Sequence, residues 1–313
     1  SHGIAPAPPR PPRSRLTPRV GSGRVDALGP IDLHHQGAER VIGCYVLETS
    51  EGLALNDCGP SVCVPALEEG LGRLSLSLSD ISHLLLSHIH LDHAGAAGVL
   101  VRKHPSLRVH VSEVGAPHLV DPSRLERSAR RLYGDAFDEL WGELAAVPEE
   151  NIALLQPEVL DLEAFPTPGH ASHHACYLAP DGTLYAGDAA GVRIQPDRYA
   201  CPPTPPPEFD LDAWLRTIDE IEQRNPARLA LIHFGIVDDP GTHLDQLRRR
   251  LQEWAAEDLP EEEWLRRRNE EREAESDDPG TYERAMPLWQ SYAGLRRYWD
   301  KLAETGASTI ASR

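Results

Sequence analysis

Positive charge is scarce in this 313-residue chain: 31 lysines and arginines stand against 49 aspartates and glutamates, a formal net charge of −18. Nucleic-acid binding draws much of its affinity from Lys and Arg neutralising phosphates, so this balance argues against a nucleic-acid partner. It argues equally against docking on an anionic membrane surface. Long apolar runs are missing too, and none approaches the ~20 residues that span a bilayer. Cysteine is sparse and unpatterned. The five residues, Cys44, Cys58, Cys63, Cys176 and Cys201, are odd in number and contain no Cys-x-x-Cys pair. Neither a thiolate zinc motif nor a disulfide framework is indicated, and reduced thiols in a cytoplasmic protein are the expectation. No serine sits in a Gly-x-Ser-x-Gly elbow, which leaves no obvious nucleophile.

What is present begins with a tail. Residues 1–20 hold six prolines, four arginines and no acid, a composition that reads as a disordered, polyproline-like segment. Beyond it the chain alternates. Strands are expected at Val41–Glu48, Leu53–Asp57, Ile81–Ser87 and Leu107–Val111, with helices near Pro65–Leu71 and Ala94–Lys103. Residues 113–146 carry helical spacing broken at Gly134 and read as helices inserted into a sheet domain. Short strands resume at Ile152–Leu155, Val159–Leu162, His174–Leu178 and Leu184–Gly187, the last two joined by an Asp181-Gly182 turn. A rigid loop, CPPTPPPEFD, ends at Asp210, a plausible N-cap. A helix up to Pro226, a strand at Leu229–His233 and a helix at 243–256 follow. The segment after about residue 258 is charged and helical, with Trp264, Trp289 and Trp299 as apolar anchors. The expected organisation is therefore a tail (1–20), a catalytic domain (21–257) with the 113–146 insertion, and a helical extension (258–313), in an α/β or α+β fold.

Chemistry-bearing residues collect where these strands end. Residues 86–95 read LSHIHLDHAG, placing His88, His90, Asp92 and His93 within six positions. Asp57 ends an earlier run. Pro168-Gly169-His170, Ala186-Gly187-Asp188 and Leu231-Ile232-His233 end later ones. Loops held by a rigid sheet are where α/β proteins gather their binding sites. Imidazole and carboxylate together suit zinc, iron or manganese. Polar residues at strand ends also cap turns without any function, but the ordered series makes that reading the weaker one.

The series His-x-His-x-Asp-His, Gly-His, Gly-Asp and a final His resembles the metallo-β-lactamase-fold hydrolases, from about Val25 to Trp254. The resemblance implies a four-layer αβ/βα sandwich with two divalent metal ions at one edge, zinc first and iron or manganese as alternatives. By position, His88, His90 and His170 would hold one metal. Asp92, His93 and His233 would hold the other, Asp188 would bridge both, and Asp57 would support the ligand loop. Asp92 and Asp188 would be the catalytic carboxylates. Two cations ~3.5–4 Å apart can share a hydroxide and polarise a carbonyl or phosphoryl oxygen.

Among reactions run on this fold, a lactone is the first substrate expected. A thioester, as in the glyoxalase II branch, or a phosphotriester is the alternative. A metal-binding redox, sensor or scaffold role without turnover is the reading of another class. Arg193, His118 and Tyr133 are candidate contacts for a small-molecule substrate, each weighed against a structural role. His173 and His174 read as supporting or core residues, and His83 as a surface or core histidine. A homodimer remains open.

Overall fold

In a computed structural model, residues 29–305 are described. The 1–20 tail lies outside them. Twelve strands form two six-stranded sheets among these residues. The first runs β1 (Ile31–Asp32), β2 (Gly43–Thr49), β3 (Gly52–Asn56), β4 (Ile81–Leu85), β5 (Arg108–Val111) and β6 (Ile152–Leu154), side by side in chain order. Its pairs are antiparallel up to β3 and parallel from β3 to β6. The second contains β7 (Glu158–Val159), β8 (Leu162–Pro166), β9 (Ala175–Leu178), β10 (Thr183–Tyr185), β11 (Arg228–Leu231) and β12 (Gly235–Val237). Only β10 and β11 pair in parallel there.

Strand alternation sorts the side chains into two cores. Tyr177, Tyr185, Ala230 and Ile232 join Cys44, Val46, Leu55 and Leu84 between the sheets, in a cluster that also takes in Leu67 and Leu100 from the helices outside the first sheet. Their neighbours Cys176, Leu184, Leu229 and Leu231 point the other way, onto helices Leu211–Arg224 and Pro240–Ala256. The layering is helix, sheet, sheet, helix, as expected. Two buried phenols tie the sheets together: the Tyr45 hydroxyl donates to Leu231 O at 2.9 Å and that of Tyr177 to Leu86 O at 2.8 Å.

Several expectations need correcting. Val159–Leu162 is not one strand. Leu160 and Asp161 take positive φ (54° and 72°) and turn the chain between β7 and β8. Burying Leu160 in the central core offsets the backbone strain that local pattern reading assumes will be avoided. The helix expected at Ala94–Lys103 is two pieces, Leu91–Ala94 and Ala97–Lys103. Strand β11 stops at Leu231, and the unexpected β12 turns back on it, so His233 sits in a tight connection. The Gly134 break (φ 56°) and the Asp210 cap, which accepts from Ala213 N at 2.9 Å, are where they were expected.

The helices after residue 258 (Glu261–Glu275, Pro279–Ala285 and Leu288–Thr305) share the core of the second sheet. Trp264 and Trp299 are buried in it, but Trp289 is 38% exposed and anchors nothing there. Arg250 fastens this segment: buried against the Tyr199 ring, it donates to Glu271 at 2.8 Å and pairs with Glu275. Among the described residues, no helix is long and apolar enough to cross a membrane.

Candidate metal centre

Strand ends place every residue of the expected set on one edge of the two sheets. The apolar strand β4 delivers Ser87 and His88; His90 is the N-cap of the short helix that carries Asp92 and His93. The loops after β8, β10 and β11 deliver His170, Asp188 and His233. Two glycines allow the approach. Gly187 has φ +46°, and a Cβ there would lie 2.6 Å from Ser87; Gly169 has φ +138° and would meet the Trp214 backbone at 2.4 Å. Only glycine fits either position without displacing a neighbour.

The ring nitrogens are aimed by their far sides. His170 Nδ1 donates to Pro203 O at 2.8 Å, His233 Nδ1 to Val41 O at 2.6 Å, and His93 Nδ1 to Asp57 Oδ2 at 2.8 Å. Ser87 Oγ donates to Asp57 Oδ2 at 2.7 Å and accepts from His88 Nδ1 at 3.0 Å. Each of these four rings therefore turns its Nε2 inward, the arrangement by which outer partners fix metal-binding imidazoles. His174, buried alongside, donates to Thr167 Oγ1 at 2.7 Å and accepts from Asp188 N at 3.1 Å, holding the backbone of that aspartate.

The inward atoms fall into sets that could hold metal ions: His88, His90 and His170; Asp92, His93 and His233; and His88, His93 and Asp188. In the first set His88 Nε2 and His170 Nε2 each lie 2.9 Å from His90 Nδ1. Three imidazole nitrogens at that spacing cannot be satisfied by one shared proton, whereas a cation suits all three. Asp188 spans the sets, with Oδ1 3.4 Å from His93 Nε2 and 3.7 Å from His233 Nε2, and Oδ2 3.4 Å from His170 Nε2. Asp92 Oδ2 is 3.3 Å from His233 Nε2. His93 Nε2 and Asp188 Oδ1 are buried with no hydrogen-bond partner. Orphaned atoms of this kind ask for an explanation, and a bound metal supplies one.

Protonation follows the same logic. Burial, then the neighbouring His93, His90 and His170, pushes the His88 pKa well below that of a free imidazole. Burial alone would raise the carboxyls of Asp188 and Asp92, but the imidazoles beside them (His93 first for each) outweigh it and hold both below the usual range. Burial would likewise lower His93, but Asp188, Asp92 and Asp57 outweigh it and raise its pKa. The site thus combines ionised carboxylates with one imidazole set, His88, His90 and His170, that resists protonation, and with His93 and His233, which the carboxylates hold ready to share positive charge.

A cavity of about 880 Å³ opens onto Asp92, Asp188, His90, His170 and His233. Its roof is the helical insertion, where Leu125, Ala129, Tyr133 and Phe137 pack on Leu91, next to Asp92. His118 and Tyr133 line the cavity. Arg193 does not: it is buried behind the site, donating to Asp239 Oδ1 at 2.7 Å and Asp197 O at 2.8 Å. Following the Gly-Asp motif by five residues put it on the wrong side of a tight turn. His173 is buried beside His88 and His90 and lines the cavity, with Glu208 3.9 Å away. His83 belongs elsewhere, paired with His110 at 3.0 Å. Sequence reasoning missed Ser87 and Trp141, and took Trp289 for an apolar anchor where it lines the cavity. Ser87 alone carried a signal, being a polar residue closing an apolar strand beside His88.

The metallo-beta-lactamase superfamily model matches residues 38–233. The chain belongs to this superfamily. It is 25% identical over 169 residues to the metallo-beta-lactamase fold-containing protein ST1585 of Sulfurisphaera tokodaii, covering 51% of this chain and 63% of that one. It is 28% identical over 194 residues to the lactamase-like protein nscB of Aspergillus fumigatus, covering 61% of this chain and 49% of that one. The chain thus matches about half to two thirds of the length of these relatives. In fold it is similar to the metallo-beta-lactamase family protein TTHA1429 of Thermus thermophilus, with a TM-score of 0.62, 22% identity and coverage of 85% and 89%. TTHA1623, solved in a di-iron-bound form, superposes with a TM-score of 0.52 at 21% identity, over 70% of this chain and 98% of that one.

The cysteines stand apart from this chemistry. All five are buried and free. Burial first, and Asp32 second, pushes Cys63 up to about 12, and burial takes Cys176 to about 12 as well. A thiolate nucleophile is not available at neutral pH. Native protein is therefore expected to resist iodoacetamide, and mass spectrometry should find labelling only after denaturation. Rapid modification of one cysteine in folded, active protein would contradict this.

Proposed function

We propose that this protein is a dinuclear metal-dependent hydrolase of small ester-like substrates, with a lactone as the first candidate and thioesters or phosphotriesters as alternatives. The observation that carries the reading is the position of Asp188, whose two oxygens face the two histidine sets separately. His88, His90 and His170 would hold one divalent metal and Asp92, His93 and His233 the other. Zinc is the proposed ion. Iron is the nearest alternative, given the di-iron form of the similar TTHA1623. Metals bound there would supply Lewis acidity, lowering the pKa of water and polarising a carbonyl or phosphoryl oxygen.

The chain's own groups do the rest. The outer hydrogen bonds of His88, His93, His170 and His233 keep their Nε2 atoms aimed without rotamer search. Asp92, with its side chain 24% exposed against 5% for Asp188, is the more open of the two carboxylates at the centre and can accept a hydrogen bond from an entering group. Asp188 stays ionised between the imidazoles. The insertion roofs the cavity and limits water, which strengthens every electrostatic contact beneath it.

Protein purified without chelator should carry close to two equivalents of divalent metal by elemental analysis, and should hydrolyse at least one member of a panel of lactones, thioesters and phosphotriesters. A metal content near zero after reconstitution would sink the site assignment. Full metal content with no turnover across the panel would favour a redox, sensor or scaffold role instead.

A further inference from the structure

Three aromatic side chains from separate parts of the chain meet on one wall of the cavity. Tyr133 comes from the insertion, Trp141 from the turn that closes it, and Trp289 from the C-terminal helix; all three line the cavity that opens onto Asp92 and His170. Tyr133 meets both tryptophans edge-on, at 5.1 Å and 62° from Trp141 and at 6.3 Å and 77° from Trp289. Trp141 in turn stacks on His35 at 5.4 Å. The rings thus form a continuous inclined wall. Trp289 remains 38% exposed, one of few large apolar side chains left in water among the described residues. An indole left open beside a binding centre is a surface waiting for an apolar partner.

Size points the same way. A volume of about 880 Å³ lies high in the range of ligand cavities and is far more than a bare lactone ring occupies. The position of Trp289 in the chain adds a third observation. The superfamily match ends at residue 233, so this wall is built partly by a segment outside the shared core.

We propose that Tyr133, Trp141 and Trp289 form a subsite for an apolar, ring-bearing body attached to the reacting group of the substrate, and that the C-terminal helices thereby set substrate choice. The proposal rests on the hydrolase reading for what happens at the adjoining centre, but the subsite binds by its own chemistry. Flat aromatic rings recognise another ring by offset or edge-on packing, and two tryptophans joined through a tyrosine offer such faces on adjacent planes.

The test uses a β-naphthyl-substituted tetrahydrofuran, which has no scissile carbonyl, with unsubstituted tetrahydrofuran as its control. Calorimetry on the full-length protein is expected to show the naphthyl ether binding at least about tenfold more tightly than the control. Trp289→Ala and Trp289→Leu should each weaken it about tenfold while the melting curve stays in place, and Trp289→Phe should keep most of the affinity. The leucine variant keeps apolar cover, so it also serves if the alanine variant folds poorly. No binding of the naphthyl ether, or equal binding by wild type and the leucine variant, overturns the proposal. Turnover of the matching naphthyl-substituted γ-butyrolactone is followed in parallel. Ether binding without any lactone turnover leaves the subsite standing and removes the lactonase reading. Turnover with no preference for the naphthyl lactone over γ-butyrolactone removes the subsite.

Discussion

Replacing Asp188 by alanine is expected to lower kcat/KM by at least about 100-fold and to strip one of the two metals. Loss of an outer partner of a metal ligand typically costs ~10–100-fold, and in the proposed centre Asp188 would be a ligand shared by both sets. Its oxygens lie 3.4 Å from His93 Nε2 on one side and 3.4 Å from His170 Nε2 on the other. Without the carboxylate, two cations would face each other with one negative charge fewer between them. Asp188→Asn is the sharper variant because it keeps the shape and removes only the charge. Elemental analysis and steady-state kinetics on the same preparation check both halves. Two equivalents of metal with normal turnover in either variant would mean that the bridge has been placed on the wrong residue.

The second large effect is on stability. Asp57 is fully buried and accepts from Ser87 N at 2.7 Å, Ser87 Oγ at 2.7 Å and His93 Nδ1 at 2.8 Å. Asp57→Ala leaves all three donors buried with nothing to receive them. Breaking a buried charged pair from one side costs ~3–5 kcal/mol. Asp57 also sits at φ +54°, a conformation that aspartate tolerates better than alanine, which adds to the loss. Urea denaturation of the alanine variant should show a midpoint lowered by that energy with an unchanged slope. Asp57→Asn keeps the backbone preference and one acceptor oxygen, so it should lose less stability. Metal affinity should fall in both, since His93 loses the partner that aims it. An alanine variant as stable as wild type would show that the Ser87 and His93 contacts contribute little to folding.

The local signals in the sequence were strong where physics is local. His88, His90, Asp92 and His93 lie within six residues, and a strand end followed by a short helical turn is enough to bring them together. The apolar runs of β4, β9 and β11, the Asp210 cap and the Gly134 break were legible for the same reason: a two-residue strand period, a side chain reaching its third neighbour, a glycine at positive φ. His170, Asp188 and His233 could be nominated because each follows a strand and matches a family motif in order.

Other features depended on contacts that no window of sequence contains. Leu160 turns a hairpin where an apolar run suggested a strand, because the central core takes its side chain. Arg193 faces Asp239 rather than the cavity, because a tight turn after Asp188 reverses its direction. Trp289 was read as an anchor and is instead a cavity wall, because the faces of its helix are assigned by the second sheet and the insertion together. The sequence by itself determined which residues can bind metal, the strand-and-helix alternation, and the net charge of −18. The resemblance already nominated Asp188 between the two histidine sets and Asp57 behind the ligand loop; the tertiary structure alone decided that Asp57 does so through Ser87 and His93, and that residues 133, 141 and 289 meet at one cavity. The physical reason is that ligand chemistry belongs to side chains, whereas the direction in which a side chain points is set by packing against residues tens to hundreds of positions away.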